Sequence, residues 1–214
     1  SMPALAALLQ EERFTSEPLL RRSINSALRV GGEKELDMLI SFAKRTDVAG
    51  DLRGEALAAI GTWASPSVLD RVDGRYRGEI SRDSNIVKQK IQGDIPVFLK
   101  DRNPYILIGT SKILGTLGIS AYNSQLKSIL TKDQRPEVRV AMIEALGELH
   151  DDGIASIVKI GMRDKDENVR AAAVGMIPEL NISKNELPGV IDPIFKNGSI
   201  REQQTMISAL TEMP

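Results

Sequence analysis

One five-residue signature recurs along the chain, and it restricts the fold to something built by repetition. It reads Ala59-Ile60-Gly61-Thr62-Trp63, then Ile113-Leu114-Gly115-Thr116-Leu117, then Ala145-Leu146-Gly147-Glu148-Leu149. Weaker copies stand at Met176-Ile177-Pro178-Glu179-Leu180 and Ala209-Leu210-Thr211-Glu212-Met213, with a degenerate first copy at Ala27-Leu28. The first positions, 27, 59, 113, 145, 176 and 209, are spaced by 32, 54, 32, 31 and 33 residues. A unit of this size lies in the range of stacked helical hairpins. The long interval holds about 22 residues more than the unit needs.

Each signature closes a helix. Val138, Ala141, Met142, Ala145, Leu146 and Leu149 form one broad apolar stripe at helical period, and Val169, Ala172, Ala173, Met176, Ile177 and Leu180 repeat it. A shorter apolar helix precedes each one, as at Leu36–Ala43, Leu126–Leu130, Ile154–Met162 and Leu187–Phe195. Such a pair cannot cover its own apolar faces, so the pairs must stack. Second helices are expected to end near residues 30, 63, 117, 149, 180 and 213. Aromatic residues are only 4% of the chain, which also favours helices over a layered sheet.

A second periodicity is chemical. Asp47 precedes Arg53, Asp133 precedes Arg139 and Asp164 precedes Arg170, each by six residues. The Asp falls at a turn and the Arg in the first turn of a second helix. A turn Asp can cap backbone N–H groups and receive a planar guanidinium, so these six residues are expected to form a structural ladder between neighbouring units. Acid–base chemistry by these carboxylates is the alternative, and recurrence with the repeat speaks against it.

These features resemble HEAT repeats of the short bacterial kind, also called PBS-lyase-like repeats. The likeness is clearest from Asp133 to Leu149 and from Asp164 to Leu180, and it extends over roughly residues 16–214. It departs where Leu107 stands six residues after Asp101, and where Pro178 replaces the signature glycine. Both departures predict a broken ladder or a bent helix. The resemblance implies an all-α fold, an α-α superhelix or solenoid of about six HEAT-like helical hairpins. It would form a single domain over residues 3–214, interrupted by an insertion at about 66–87. Ser1-Met2 reads as a cloning remnant. The family implies a binding role and no particular activity.

The insertion carries Asp70, Arg71, Asp73, Arg75, Tyr76 and Arg77 around an Asp73-Gly74 turn, and Ser84–Phe98 then reads as a long helix kinked before Pro96. Two readings stand: a solvated loop whose charges cancel, or a partner-docking loop with Arg and Tyr as anchors. The run Leu69-Asp70-Arg71-Val72 with Gly74-Arg75-Tyr76-Arg77 also resembles the HEAT-repeat segment of large bacterial secreted proteins. Those proteins join a quinoprotein sugar-dehydrogenase-like propeller, helical repeats and a haem-c domain. That likeness implies an extracytoplasmic setting, periplasmic or beyond, for a module linking redox domains. The residues themselves leave the cytoplasm open. The chain stops where its last signature finishes, which reads as a piece of something longer.

No catalytic, cofactor-binding or metal-binding residue is assigned. The chain has no cysteine, which removes thiolate chemistry and cysteine-held metals or haem. His150, the single histidine, sits in Leu149-His150-Asp151-Asp152-Gly153, where a helix-ending turn explains it better than a metal or a general base. Gly109-Thr110-Ser111-Lys112 lacks the upstream glycine and strand of a phosphate loop. The sequons at Asn181 and Asn197 carry meaning only in a eukaryotic secretory setting. The methionines fall on apolar helical positions and read as core. Formal net charge is -1, so no nucleic-acid partner is expected, and no apolar run is long enough for membrane insertion. The expected role is a non-catalytic scaffold for protein or interdomain contacts. The alternative is a HEAT-repeat enzyme or ligand-binder, such as a bilin-lyase-like or DNA-glycosylase-like protein, which would need a basic, aromatic concave face.

Overall fold

The computed structural model describes residues 1–180, 182–183 and 185–213, and among these the fold is all-α. The chain divides into two compact units, Ser1–Ile119 and Ser120–Pro214.

The first unit contains α1 (Met2–Ala7), α2 (Glu17–Val30), α3 (Glu33–Lys44), α4 (Gly50–Gly61), α5 (Ser84–Ile91), α6 (Ile95–Phe98) and α7 (Pro104–Leu117). Prolines at the first positions of α2, α6 and α7 start those helices where a missing N–H costs nothing. Helix α1 pairs with α2, α3 with α4, and α6 with α7, while α2, α4 and α7 pack in sequence order. Their buried stripes include Leu20, Ile24 and Leu28 on α2, Ala56, Leu57 and Ile60 on α4, and Ile106, Ile113 and Leu114 on α7.

Helices α4 and α7 approach each other closely. A Cβ on Gly54 would lie 2.8 Å from Tyr105 Cβ, and one on Gly109 would lie 2.8 Å from Leu57 Cβ. Gly61 faces Ile113, so residue numbers rise together and the two helices run parallel. Gly109→Ala must force these backbones apart. It is expected to lower stability by about 1–3 kcal/mol, as overpacking does, and a denaturant melt measures it. A neutral result would mean that the interface is looser than these contacts imply.

The expected long helix over 84–98 is two helices. It breaks at Gln92-Gly93-Asp94, so that α5 packs on α3 and α6 on α7. Gly93 is a poor helix former, and the N–H of Asp94 turns back to the Ile91 carbonyl at 2.9 Å. The break therefore lies upstream of Pro96, which simply begins α6.

The second unit contains α8 (Asn123–Lys132), α9 (Pro136–Glu148), α10 (Ile154–Gly161), α11 (Glu167–Gly175), α12 (Leu187–Asn197) and α13 (Ile200–Glu212). Here α8 pairs with α9, α10 with α11 and α12 with α13, and α9, α11 and α13 stack in order. Burial extends beyond the expected stripe. Ile143 on α9 and Ala171 and Val174 on α11 are also inside, as suits helices with neighbours on several sides. Helix α11 stops at Gly175 and tightens into a 3₁₀ turn at Ile177–Glu179, where Pro178 supplies no amide hydrogen.

Candidate interaction surface

The interrupting segment is a small anchored hairpin. Its strands meet at a single antiparallel bridge between Leu69 and Tyr76, flanked by Arg77 N–H to Val68 O at 2.8 Å and Asp70 N–H to Arg75 O at 2.8 Å. Asp70 is the internal post, only 6% exposed. Its Oδ1 accepts from the N–H groups of Val72 and Asp73, and its Oδ2 accepts from Asn25 Nδ2 at 2.9 Å and Arg77 Nε at 3.1 Å. Burial pushes this carboxyl up, but those four donors outweigh it and hold it at about 2. Arg77 also reaches Asp73 at 2.8 Å. Asp70, Asp73 and Arg77 are thus joined to one another inside the segment.

Two further arginines tie the hairpin to α2. Arg29 Nη2 donates to the carbonyls of Ser67 and Leu69 at 2.8 and 2.6 Å. Arg82 donates to the carbonyls of Trp63 and Leu28, and its guanidinium lies 5.0 Å over the Trp63 ring. Arg82 crosses the end of α2 where Gly31 adopts φ 65°, and a Cβ there would strike the guanidinium at 2.0 Å. Gly31 is therefore needed twice, for the left-handed cap and for the space. Asn25, Arg29 and Arg82 do not stand out in sequence. The available signal is the polar pair Asn25/Arg29, one helical turn apart on the stripe of α2 that carries Ile24 and Leu28.

What remains outside is a mixed apolar and cationic edge. Tyr76 is 70% exposed, and Leu69 and Val72 are also exposed. Arg75 reaches Asp73 only at 3.9 Å, and Arg71 has no carboxylate within ion-pair distance among the described residues. Of the acidic residues of the loop only Asp70 is buried, while Asp73, Glu79 and Asp83 stay exposed beside the arginines.

Beside the hairpin lies an open groove of about 850 Å³ along α2, α4 and α7. Arg71 and Val72 form part of its wall, and Tyr105, Ile108 and Lys112 line α7. Glu17, Asp51 and Glu55 all turn to one guanidinium, that of Arg21.

The ladder connects successive helix pairs within each unit. Arg53 donates to Asp101 at 2.7 Å, Arg139 grips Asp164 through two bonds of 2.7 Å, and Arg170 binds Glu202 at 3.1 and 3.0 Å. Arg139 and Arg170 also donate to the carbonyl of the Asp six residues before, Asp133 and Asp164, and Arg53 to that of Ala43 in the last turn of α3. The six-residue spacing therefore places an arginine beside its own turn's backbone and aims it at the carboxylate of the next turn. Asp101 does not mark a broken rung. It accepts from Arg53 and from Asn103 N–H, and its lack of an arginine six residues later concerns a different rung.

Asp47 and Asp133 do not join this series. The second helix before Asp133 carries Leu107 at the arginine's position, and the one before Asp47 carries Arg21, which turns to Glu17, Asp51 and Glu55 instead. Each Asp pairs locally instead, Asp47 with Arg45 and Asp133 with Arg135, both at 2.5 Å. At the last turn the expected carboxylate position holds Asn197. Glu202 supplies the charge from the first turn of α13, held by a capping box with Ser199. Burial raises the carboxyls of Asp101, Asp164 and Glu202, and their arginines and backbone donors more than compensate, leaving all three below the usual carboxylate range.

His150 ends α9 in the left-handed region at φ 46°, exposed, with Nδ1 3.2 Å from Glu179. Asp151 turns inward to Asn123 and Lys127 and to the Gly153 N–H, so it fastens the start of α10 to α8. Among the described residues no group of His, Asp and Glu is arranged to hold a metal, and no helix is long and apolar enough to cross a membrane.

The sequence profile of the HEAT repeats matches residues 95–177 and, in an overlapping frame, 123–193. The chain carries a HEAT-like repeat domain. Stacked helix pairs, with the rungs from Arg139 and Arg170, are the physical content of that match. No curated protein matches the chain. HEAT repeats commonly serve as protein-interaction scaffolds, and the family is generally non-catalytic.

Proposed function

We propose that this HEAT-like domain is a non-catalytic scaffold that docks a protein, or a neighbouring domain of a longer chain, on the outer edge of its hairpin. One observation carries the reading. Buried and half-buried hydrogen bonds from Asn25, Arg29 and Arg82 hold a segment that the repeat does not need, and that segment presents Tyr76, Leu69 and Arg75 to solvent. Tyrosine and arginine on a rigid support are the residue types that anchor interfaces, because little freedom is lost on binding. The likeness of the hairpin to secreted redox proteins adds a setting to the proposal. The domain would lie outside the cytoplasm and orient the oxidoreductase domains of a larger bacterial protein.

The test uses a photo-crosslinking benzoylphenylalanine in place of Tyr76, expressed in the natural host. The expected result is a crosslink to a protein or to another segment of the same chain, with none from the same probe at Lys132. Arg75→Glu with Tyr76→Ala should abolish that contact while shifting the denaturation free energy by less than about 0.5 kcal/mol. Arg77 is unsuitable for this test, since it holds Asp70 and Asp73. Absence of a crosslink at position 76, or a contact that survives the double variant, would remove the hairpin edge as the docking site.

A further inference from the structure

We infer that the groove along α2, α4 and α7 binds an acidic, extended peptide segment of a protein partner. This extends the scaffold reading to a second face, distinct from the hairpin's outer edge. Four cations line the groove, Arg21, Arg22, Arg71 and Lys112, against three carboxylates. The carboxylates are not free to repel a ligand equally. Glu17, Asp51 and Glu55 all contact Arg21, which gathers the negative charge around one point. Arg22, Arg71 and Lys112 have no carboxylate within ion-pair distance among the described residues. The groove therefore offers three cations without a contacting carboxylate in one concavity, with Arg71 still in the field of Glu55.

Along the parallel α4 and α7, Lys112 lies beyond the carboxylates, while Arg22 sits beside Arg21 and Arg71 feels the charge of Glu55. Asp51 and Tyr105 lie in the first turns of α4 and α7, while Lys112 lies two helical turns further along α7. Arg71 comes from the segment after the far end of α4. The exposed ring of Tyr105, with Ile108 and Val72, supplies apolar contact in the same groove. A peptide fits this pattern because it can alternate carboxylates with apolar side chains and avoid the Arg21 cluster. A nucleic-acid backbone, with charge at every step, would meet the three carboxylates as well as the cations.

The probe is a fluorescein-labelled eight-residue peptide with glutamate at every second position and alanine, leucine or tyrosine between. Its binding is followed by fluorescence anisotropy at about 20 mM salt, where screening is weak. The peptide should bind, and its affinity should fall as salt rises. Arg71→Glu with Lys112→Glu should weaken it by about tenfold or more, since like charge then faces the ligand. Lys34→Glu with Lys132→Glu matches the change in net charge away from the groove and should leave binding within about twofold. Circular dichroism checks the fold, and Arg71→Gln with Lys112→Gln serves if the reversal unfolds the chain, with a smaller loss expected. The inference is overturned if the wild-type protein ignores the peptide, or if the groove variants bind like wild type. Equal binding of the lysine counterpart, or tighter binding of a single-stranded oligonucleotide, also overturns it. Arg75→Glu with Tyr76→Ala should not affect the peptide, so a failed groove and a failed hairpin edge give different results.

Discussion

Arg139→Ala should lower the stability of the second unit by about 3 kcal/mol, the usual cost of stripping one partner from a buried ion pair. Arg139 is 5% exposed, and both of its bonds to Asp164 are 2.7 Å. Without the guanidinium, Asp164 keeps one backbone donor, the N–H of Asp166, in a site that burial makes unfavourable for charge. The wild-type stabilisation should depend on acidity in a defined sense. The folded carboxyl lies below its ordinary value, so the contribution is complete above that value and disappears as pH falls through the folded one. Arg170→Ala removes a similar pair whose arginine side chain is 27% exposed, and about 1 kcal/mol is expected there because water screens and replaces the contact. Denaturant melts of the two variants decide the point. Equal losses would show that burial does not set the strength of a rung.

Asp70→Ala should release the hairpin. Four donors lose their acceptor together: the N–H groups of Val72 and Asp73, Asn25 and Arg77. The amide of Arg77, bonded across the bridge to Val68, should then exchange orders of magnitude faster, as should that of Gly74. The charge on Asp70 contributes about 2 kcal/mol, from the gap between an ordinary aspartate and the value of about 2 held here. Its folded pKa is depressed, so this stability is present above about pH 4 and is lost between there and about pH 2. Asp70→Asn keeps the shape and removes the titration, so hairpin protection in that variant should no longer change across this interval. Wild-type-like exchange in Asp70→Ala would mean that Arg29 and Arg82 hold the segment without it.

The repeat was legible in the sequence because helix stacking uses a one-dimensional code. Small and apolar residues at positions such as Ala145, Leu146 and Leu149 must recur wherever one helix meets the next. The ends of α2, α4, α7, α9 and α13 follow from that periodicity, as does the departure of the 66–83 segment from helical order. The residue types of the ladder were equally visible, because each rung reuses one spacing. Partner choice was not. Whether Arg139 meets Asp133 or Asp164 depends on which turn stacking brings beside it, and Glu202 could replace a turn carboxylate only because α13 begins where Arg170 points. The break of α5 from α6 depended on packing against two different helices. In the hairpin, alternating Asp and Arg fixed no direction. Asn25 on α2, 45 residues away in sequence, draws Asp70 inward and leaves Arg71 and Arg75 outside. The groove also belongs to tertiary structure alone. Glu17, Arg21, Asp51, Arg71 and Lys112 come from separate segments, and only the close approach of α4 to α7 through Gly54 and Gly109 gathers them on one face.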